Sequence, residues 1–334
     1  MKKILSLLIL AAIAVGSLCL VSCGEKNYEV GVGIHASANA TDADGEADGS
    51  AEVNYTMAAI IVDADGKLVG CKLDSTYYGV VTVSADGDCE IARAMTTKRA
   101  LGKDYGMSAA GFKEWYEQTD AFASVAVGKT LDEVKALVGP DYKGTEDVVN
   151  AGCSIYVSDF AVAIEKAFAN KKAFSAKDVS ADSVNIGVSA SSSCISADGE
   201  EKGSATFVAT VTASVKSGDK IVCCITDELE AKLEITADGA VTGADAALKS
   251  KRALGDSYGM AGNAYAPDLN GDGKVLEWYL QVDAFDAACE GKGADEIAAL
   301  SLSDGSGYAT EDVQTAGCTI NVAGFVKSAI AAAK

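Results

Sequence analysis

The order of hydrophobic and polar residues gives alternating segments followed by amphipathic ones, and this order occurs twice along the chain. Alternation of apolar and polar residues predicts β-strands with one buried face. Turn sequences rich in Asp and Gly separate these strands, which favours antiparallel hairpins. The predicted strands are 30–38, 53–62, 68–73 and 80–84 in the first copy, and 184–191, 205–215, 221–225 and 231–236 in the second.

Helices are predicted after the strands of each copy. Trp115 and Phe122 recur at helical spacing. Thr130 and Glu133 have the spacing of a capping box, which predicts a second, short helix. The first copy is predicted to end with a short strand at 154–157 and a helix at 158–169. The sequence therefore predicts an α+β fold of two tandem homologous domains, each an antiparallel sheet with helices packed on one face.

Three blocks of sequence indicate that the chain is an internal duplication. The matches are 8 of 11 positions between 97–107 and 250–260, 7 of 9 between 114–122 and 277–285, and 7 of 9 between 145–153 and 310–318. By contrast, the strand-like segments 54–71 and 207–224 match at only 4 of 18 positions. The blocks therefore stand out from their background, and a specific constraint holds them.

The first 23 residues are typical of an export signal. Lys2 and Lys3 precede an apolar run, and the sequence Leu-Val-Ser before Cys23 resembles the lipobox of bacterial lipoproteins. We expect an extracytoplasmic protein anchored to the cell membrane by lipid on Cys23, with a plain signal peptide or an uncleaved anchor as the alternative. The predicted organisation is a signal peptide at 1–22, a lipid tether at 23–29, a repeat domain at 30–169, a linker at 170–183 and a repeat domain at 184–334.

Acidic residues dominate the charged positions. The chain has 28 Lys and Arg against 48 Asp and Glu, a formal net charge of −20. Such a surface repels phosphate backbones, which argues against a nucleic-acid partner. The single histidine, His35, lies in a strand-like segment, and the sequence offers no nucleophile with a base beside it. The composition therefore favours a protein without catalytic activity.

A candidate ligand site is predicted from the first two blocks. Lys98 and Arg99 are adjacent cations suited to an anionic group, and Trp115 offers a ring for stacking. The alternative is that the aromatic residues are core and that Arg99 pairs internally with Glu114 or Asp120. The candidate residues are Lys98, Arg99, Tyr105, Trp115, Gln118 and Asp120 in the first copy, and Lys251, Arg252, Tyr258, Trp278, Gln281 and Asp283 in the second.

Paired cysteines of the two copies permit symmetric disulfides. Cys71 aligns with Cys224, and Cys153 aligns with Cys318. One bridge within each copy, joining Cys71 to Cys153 and Cys224 to Cys318, is the simplest symmetric pattern in an exported protein. Buried free thiols are the alternative.

An insertion in the second copy predicts a calcium site. Asp268, Asn270 and Asp272 stand at alternate positions, which resembles the first half of an EF-hand or dockerin loop. Tyr279 occupies the twelfth position, where a carboxylate is expected. A solvated loop is the alternative interpretation.

Four patterns in the chain resemble those of exported lipoproteins of anaerobic Firmicutes, a group loosely similar to FMN-binding-domain proteins and the major membrane immunogen family. They are Lys-Arg-Ala-Leu-Gly-x-x-Tyr-Gly-Met, Glu-Trp-Tyr-x-Gln-x-Asp-Ala-Phe, Gly-Lys-Thr-x-Asp-Glu-Val and Ala-Gly-Cys-x-Ile. The resemblance implies two small-ligand-binding domains, with noncovalent FMN or another planar or anionic molecule as the ligand. The Asp-Gly-x-Ser/Thr-Gly-Ala-Thr motif that accepts covalent FMN does not occur in the sequence. The alternative functions are extracytoplasmic electron transfer by noncovalently bound flavin, and a surface or scaffold role without a small ligand.

Overall fold

A computed structural model describes residues 24–77, 79–262 and 276–334. Five predicted features lie outside these residues: the signal peptide at 1–22, the lipidated Cys23, and the calcium ligands Asp268, Asn270 and Asp272. Among the residues that are described, no helix has the length and apolar character needed to cross a membrane.

The strands of the two repeats form two separate antiparallel sheets. The first sheet contains β1 (Lys26–Thr41), β2 (Gly49–Asp63), β3 (Leu68–Tyr77), β4 (Gly79–Val83), β5 (Cys89–Arg93), β6 (Thr96–Thr97) and β7 (Lys171–Ala176), and the second contains β8 (Val184–Ile195), β9 (Gly203–Ser217), β10 (Lys220–Ile235) and β11 (Val241–Thr242). The first has the order β5-β4-β2-β1-β7, with β3 pairing with both β2 and β6. The second has the order β11-β10-β9-β8.

The helices follow the strands of each repeat, as the sequence predicts. They are α1 (Lys98–Leu101), α2 (Trp115–Ala126), α3 (Leu131–Lys135), α4 (Glu146–Ala151) and α5 (Ser158–Ala169) in the first repeat, and α6 (Lys251–Leu254), α7 (Trp278–Cys289), α8 (Ala294–Ala298), α9 (Glu311–Thr315) and α10 (Ala323–Ala333) in the second. The predicted capping box begins α3, where the backbone N–H of Thr130 donates to Glu133 Oε2 at 2.8 Å.

Part of the predicted linker 170–183 is a strand. β7 pairs with the edge of β1, and Phe174 stacks on Tyr28 with ring centroids 5.7 Å apart. An ion pair between Lys171 and Glu29 joins the same two strands. The order Lys-Lys-Ala-Phe-Ser-Ala does not alternate polar and apolar residues, so the sequence alone favours a linker here.

Two strand predictions also differ from the structure. The strands predicted at 221–225 and 231–236 are parts of the single strand β10, because the pairing with β9 continues without a gap from Cys223 to Ile235. The strand predicted at 154–157 is absent, and this segment contributes only one isolated bridge, between Lys143 and Tyr156.

The two sheets pack face to face, and helices cover the outer face of each sheet. Along β2, Met57 points toward the second sheet, while Ile60 points toward the helices. The hydroxyl of Tyr55 crosses between the sheets and donates to the carbonyl of Phe207 at 2.9 Å. This arrangement confirms the α+β fold with helices on one face of each sheet. The cluster between the sheets contains residues of both repeats, so the repeats share part of their core.

Two glycines let the last helix of each repeat pack directly on a strand. A Cβ atom at Gly33 would lie 2.0 Å from the carbonyl oxygen of Ala163 in α5. A Cβ atom at Gly187 would lie 1.9 Å from the carbonyl oxygen of Ser328 in α10. Because no side chain fits in either gap, the helix backbone contacts the sheet backbone at corresponding places in the two repeats.

Candidate functional site

The predicted site residues of each repeat lie together where the short lysine–arginine helix meets the third strand and the tryptophan helix. A buried aspartate fixes the start of the short helix in both repeats. Asp74 Oδ1 accepts the backbone N–H of Arg99 at 3.1 Å, and Asp227 Oδ1 accepts that of Arg252 at 3.1 Å. The same contact therefore aligns residue 74 with residue 227.

The Arg99 guanidinium joins the tryptophan helix to the sheet. Its Nη2 donates to Asp120 Oδ1 at 2.9 Å and to Thr119 Oγ1 at 3.1 Å, and its Nη1 donates to Asp120 Oδ2 at 3.3 Å. Its Nε donates to the carbonyl of Leu73 at 3.0 Å. These donors are engaged within the protein, so Arg99 positions α2 on β3.

Arg252 is buried more deeply and has one more acidic partner. Its side chain is 9% exposed and forms ion pairs with Asp283 at 2.8 Å and with Asp286 at 3.1 Å. The residue corresponding to Asp286 in the first repeat is Ala123. The sequence leaves internal pairing of Arg99 open as an alternative to ligand binding, and these ion pairs give both arginines a structural role.

The predicted glutamines hold the tryptophan helix against the loop of the third block. Gln118 Nε2 donates to the carbonyl of Lys113 at 2.9 Å, and its Oε1 accepts the N–H of Ser154 at 2.8 Å. Gln281 makes the same contact in the second repeat, accepting the N–H of Thr319 at 3.0 Å. The hydrogen bonds of these side chains are satisfied inside the protein.

The two tryptophans are core residues. Trp115 is 4% exposed and Trp278 is 2% exposed. Their rings pack edge-on against Phe160 and Phe325, with centroids 6.0 and 5.7 Å apart. A flavin ring would find no open indole face here, so the predicted residues do not fit FMN stacking.

An aromatic cage surrounds one lysine in each repeat. The two cages are Lys98 with Tyr105 and Trp115, and Lys251 with Tyr258 and Trp278. Each ammonium nitrogen lies 5.1 to 5.5 Å from the two ring centroids. This geometry is typical of a cation–π contact, which stabilises a partly desolvated ammonium group.

The two caged lysines differ in their counterion. Lys251 Nζ lies 2.7 Å from Glu228 Oε1, and both side chains are 14% exposed. Glu228 Oε2 also accepts the hydroxyl of Thr210 at 2.7 Å. In the first repeat, the position of Glu228 is occupied by Ser75. Within the described part of the chain, no carboxylate forms an ion pair with Lys98.

The missing counterion changes the pKa of the lysine. Burial lowers the pKa of Lys98 below its usual 10.5, although attraction to Asp74 and Asp159 opposes the shift. Burial also acts to lower the pKa of Lys251, but the Glu228 carboxylate outweighs it and raises that pKa. Lys98 is therefore a half-buried cation whose charged form would gain from a nearby anion.

A shallow cleft of about 280 Å³ opens beside Lys98. Its other walls are Asn39, Glu52, Val53 and Asn54 on the hairpin of β1 and β2. Sequence reasoning missed these residues because they lie outside the three matched blocks. A position-by-position alignment of the two copies does contain one signal of the difference, because Ser75 in the first copy aligns with Glu228 in the second.

Neither metal ligation nor disulfide bonding is present among the described residues. No group of three His, Cys, Asp or Glu side chains there could hold a metal ion. All eight cysteines in the described ranges are free thiols. The predicted bridges Cys71–Cys153 and Cys224–Cys318 are therefore absent from the structure, which has the buried thiols of the alternative interpretation.

Comparison with known proteins gives no relative for this chain. No family model matches it, no curated protein is significantly similar to it, and no solved structure matches it. The function must therefore be inferred from the residues and contacts themselves.

Proposed function

We propose that this protein is a lipid-anchored extracytoplasmic protein that binds a small carboxylate ligand at Lys98 without catalysing a reaction. One observation carries the proposal: the first repeat lacks the carboxylate with which the second repeat neutralises its caged lysine. Glu228 stands 2.7 Å from Lys251, whereas Ser75 stands at the corresponding position near Lys98. The position of the Glu228 carboxylate beside Lys251 therefore indicates where the carboxylate of a ligand would lie beside Lys98.

The first repeat also has a threonine where the second repeat has the hydroxyl donor to Glu228. Thr210 donates to Glu228, and the corresponding residue in the first repeat is Thr56. The Thr56 hydroxyl lies 3.5 Å from the Ser75 hydroxyl, at the limit of a hydrogen bond. A ligand carboxylate near Lys98 would accept from both the ammonium and this hydroxyl, as the Glu228 carboxylate does in the second repeat.

The cleft beside Lys98 limits the size and chemistry of the ligand. Its volume of about 280 Å³ suits a molecule of a few heavy atoms, because typical small-molecule pockets are roughly 300–1,000 Å³. Glu52, Asn39 and Asn54 can accept or donate hydrogen bonds on the far side of the cleft. These groups favour a small polar carboxylate that carries a second hydrogen-bonding or cationic group, such as an amino acid.

Binding of simple probes tests the site. We would titrate the protein with acetate and with glycine, and follow the Lys98 side-chain resonances by NMR. The expected Kd is on the order of 1–10 mM, with glycine tighter than acetate. Lys98→Met should abolish the shifts, and the matched control Lys251→Met should retain them. The proposed site would be overturned if Lys98→Met and Lys251→Met changed the chemical shifts equally, or if neither probe shifted the Lys98 resonances of the unaltered protein.

The alternative functions give different results in a parallel titration. FMN that binds with a visible absorption band and resists Lys98→Met would favour electron transfer on a bound flavin. Absence of binding by acetate, glycine and FMN alike would favour a surface or scaffold role.

Membrane attachment is tested separately. Labelling of the expressing cells with an alkyne fatty acid should modify the protein, and Cys23→Ser should remove the label. Retention of label in that variant would contradict attachment at Cys23.

A further inference from the structure

Two cysteines from different sheets meet at the edge of the sandwich. Cys89 begins β5 of the first sheet, and Cys194 lies near the end of β8 in the second. Both are partly exposed, and both pack against the core between the sheets. Cys194 is two residues before Ser196, whose hydroxyl contacts Cys89 Sγ at 3.7 Å, and interaction with the Cys89 thiol adds to the effect of burial in raising the pKa of Cys194. Two thiols that are distant in sequence are therefore neighbours in the fold.

Ser196 holds this arrangement in place. Its hydroxyl accepts the backbone N–H of Cys89 at 3.0 Å and donates to Cys89 Sγ at 3.7 Å. The backbone N–H of Ala197 donates to the carbonyl of Gly87 at 3.0 Å, which ties the next residues to the turn before β5. The backbones on both sides of the thiols are thus positioned by hydrogen bonds between the repeats.

We propose that Cys89 and Cys194 are a disulfide site that links the two repeats covalently. The oxidant is a disulfide compound of the thiol–disulfide exchange class. This inference goes beyond ligand binding and does not depend on Lys98.

The exchange proceeds in two balanced steps. The Cys89 thiolate attacks one sulfur of the oxidant, forms a mixed disulfide and releases the first thiol. Cys194 then loses its proton and attacks Cys89 Sγ, which forms the protein disulfide and releases the second thiol. Two electrons pass from the two cysteines to the oxidant, and the two protons end on the released thiols. The Ser196 hydroxyl donates to Cys89 Sγ and would stabilise a thiolate there, so we assign the first attack to Cys89.

A second pair of cysteines provides a control. Cys224 and Cys289 are buried in the same core cluster of the second repeat. They too are close in the fold, but an oxidant in solution has no access to them. We expect only the partly exposed pair to react in the folded protein.

The experiment uses the full chain, reduced and then incubated with oxidised glutathione. Alkylation, digestion without reductant and mass spectrometry should show a peptide that links Cys89 to Cys194. The midpoint of thermal unfolding should rise by roughly 5 °C on oxidation, because the bond closes a long loop of the unfolded chain. Cys89→Ala and Cys194→Ala should each abolish both effects, and Cys224→Ala should abolish neither.

Three outcomes would overturn the disulfide site. Glutathione retained on Cys89 without a linked peptide would show that Cys194 cannot reach it in the folded protein. A linked peptide between Cys224 and Cys289 in its place would contradict the role of exposure. Full alkylation of all thiols after oxidation would exclude a bond at either pair.

Discussion

The caged lysines of the two repeats have the same aromatic neighbours and different charges around them. Lys251 forms an ion pair with Glu228, whereas Lys98 lines a cleft and the first repeat has Ser75 at the position of Glu228. The second repeat also has Asp286 beside its arginine, where the first repeat has Ala123. The second repeat has thus satisfied its cations internally, and the first has left one of them available.

Residues that stabilise the fold are shared by both repeats, whereas the candidate ligand site depends on a residue that differs between them. The arginines, glutamines and tryptophans of the matched blocks make equivalent internal contacts in both repeats. These contacts explain why the blocks resemble each other: they hold the tryptophan helix on the sheet. The difference arises from a position outside the blocks, so the candidate ligand site belongs to the first repeat.

The largest expected effect comes from a feature that the repeats share. Gly33→Ala and Gly187→Ala should each destabilise the protein by about 3 kcal/mol or more, because the added methyl would overlap a helix carbonyl. Chemical denaturation measures both values. Ser37→Ala, on an exposed position of the same strand, should change stability by less than about 0.5 kcal/mol. A small effect at only one glycine would show that the helices do not pack alike.

The next effect distinguishes the two lysines. Lys251→Met should cost about 2–3 kcal/mol of unfolding free energy, because it leaves the largely buried Glu228 without its partner. Lys98→Met should cost less than about 1 kcal/mol, because it removes a cation that forms no ion pair with any residue the structure describes. Equal losses would mean that Lys98 has a counterion of its own.

Exchanging Ser75 and Glu228 between the repeats tests whether the anion occupies the position of the Glu228 carboxylate. Ser75→Glu should place a carboxylate beside Lys98 and weaken acetate binding by about 10-fold or more, a change of about 1.4 kcal/mol. Glu228→Ser should create a second acetate site at Lys251. The titrations are the same as for the unaltered protein. Unchanged acetate binding by Ser75→Glu would show that the anion does not occupy the position of Glu228.

The smallest effect is the pH dependence of stability. Folding lowers the pKa of Lys98, so the unfolded chain binds this proton more tightly and the contribution of Lys98 to stability increases as the pH rises toward 10.5. Folding raises the pKa of Lys251, so its contribution is present below 10.5 and is lost above it. Unfolding free energies of the two Lys→Met variants, compared with the parent from about pH 8 to 11, should diverge in opposite directions.

The sequence predicted the α+β fold, the main strands and helices, and the meeting of Lys98 with Trp115. Periodicity and capping carry this information because they are local. The packing of the two sheets on each other was not predictable from periodicity. Alternation indicates that one face of a strand is buried, but it does not indicate which element covers that face. The internal pairing of Arg99 was only an alternative, because sequence alone does not give the distance to Asp120.

NMR titration of the side-chain carbon resonances measures the pKa values of Lys98 and Lys251. This measurement tests the difference in counterion between the repeats without any added ligand. Our account predicts a value below 10.5 for Lys98 and above 10.5 for Lys251. A value for Lys98 at or above that of Lys251 would contradict it, because the first repeat would then already contain the anion that we assign to a ligand.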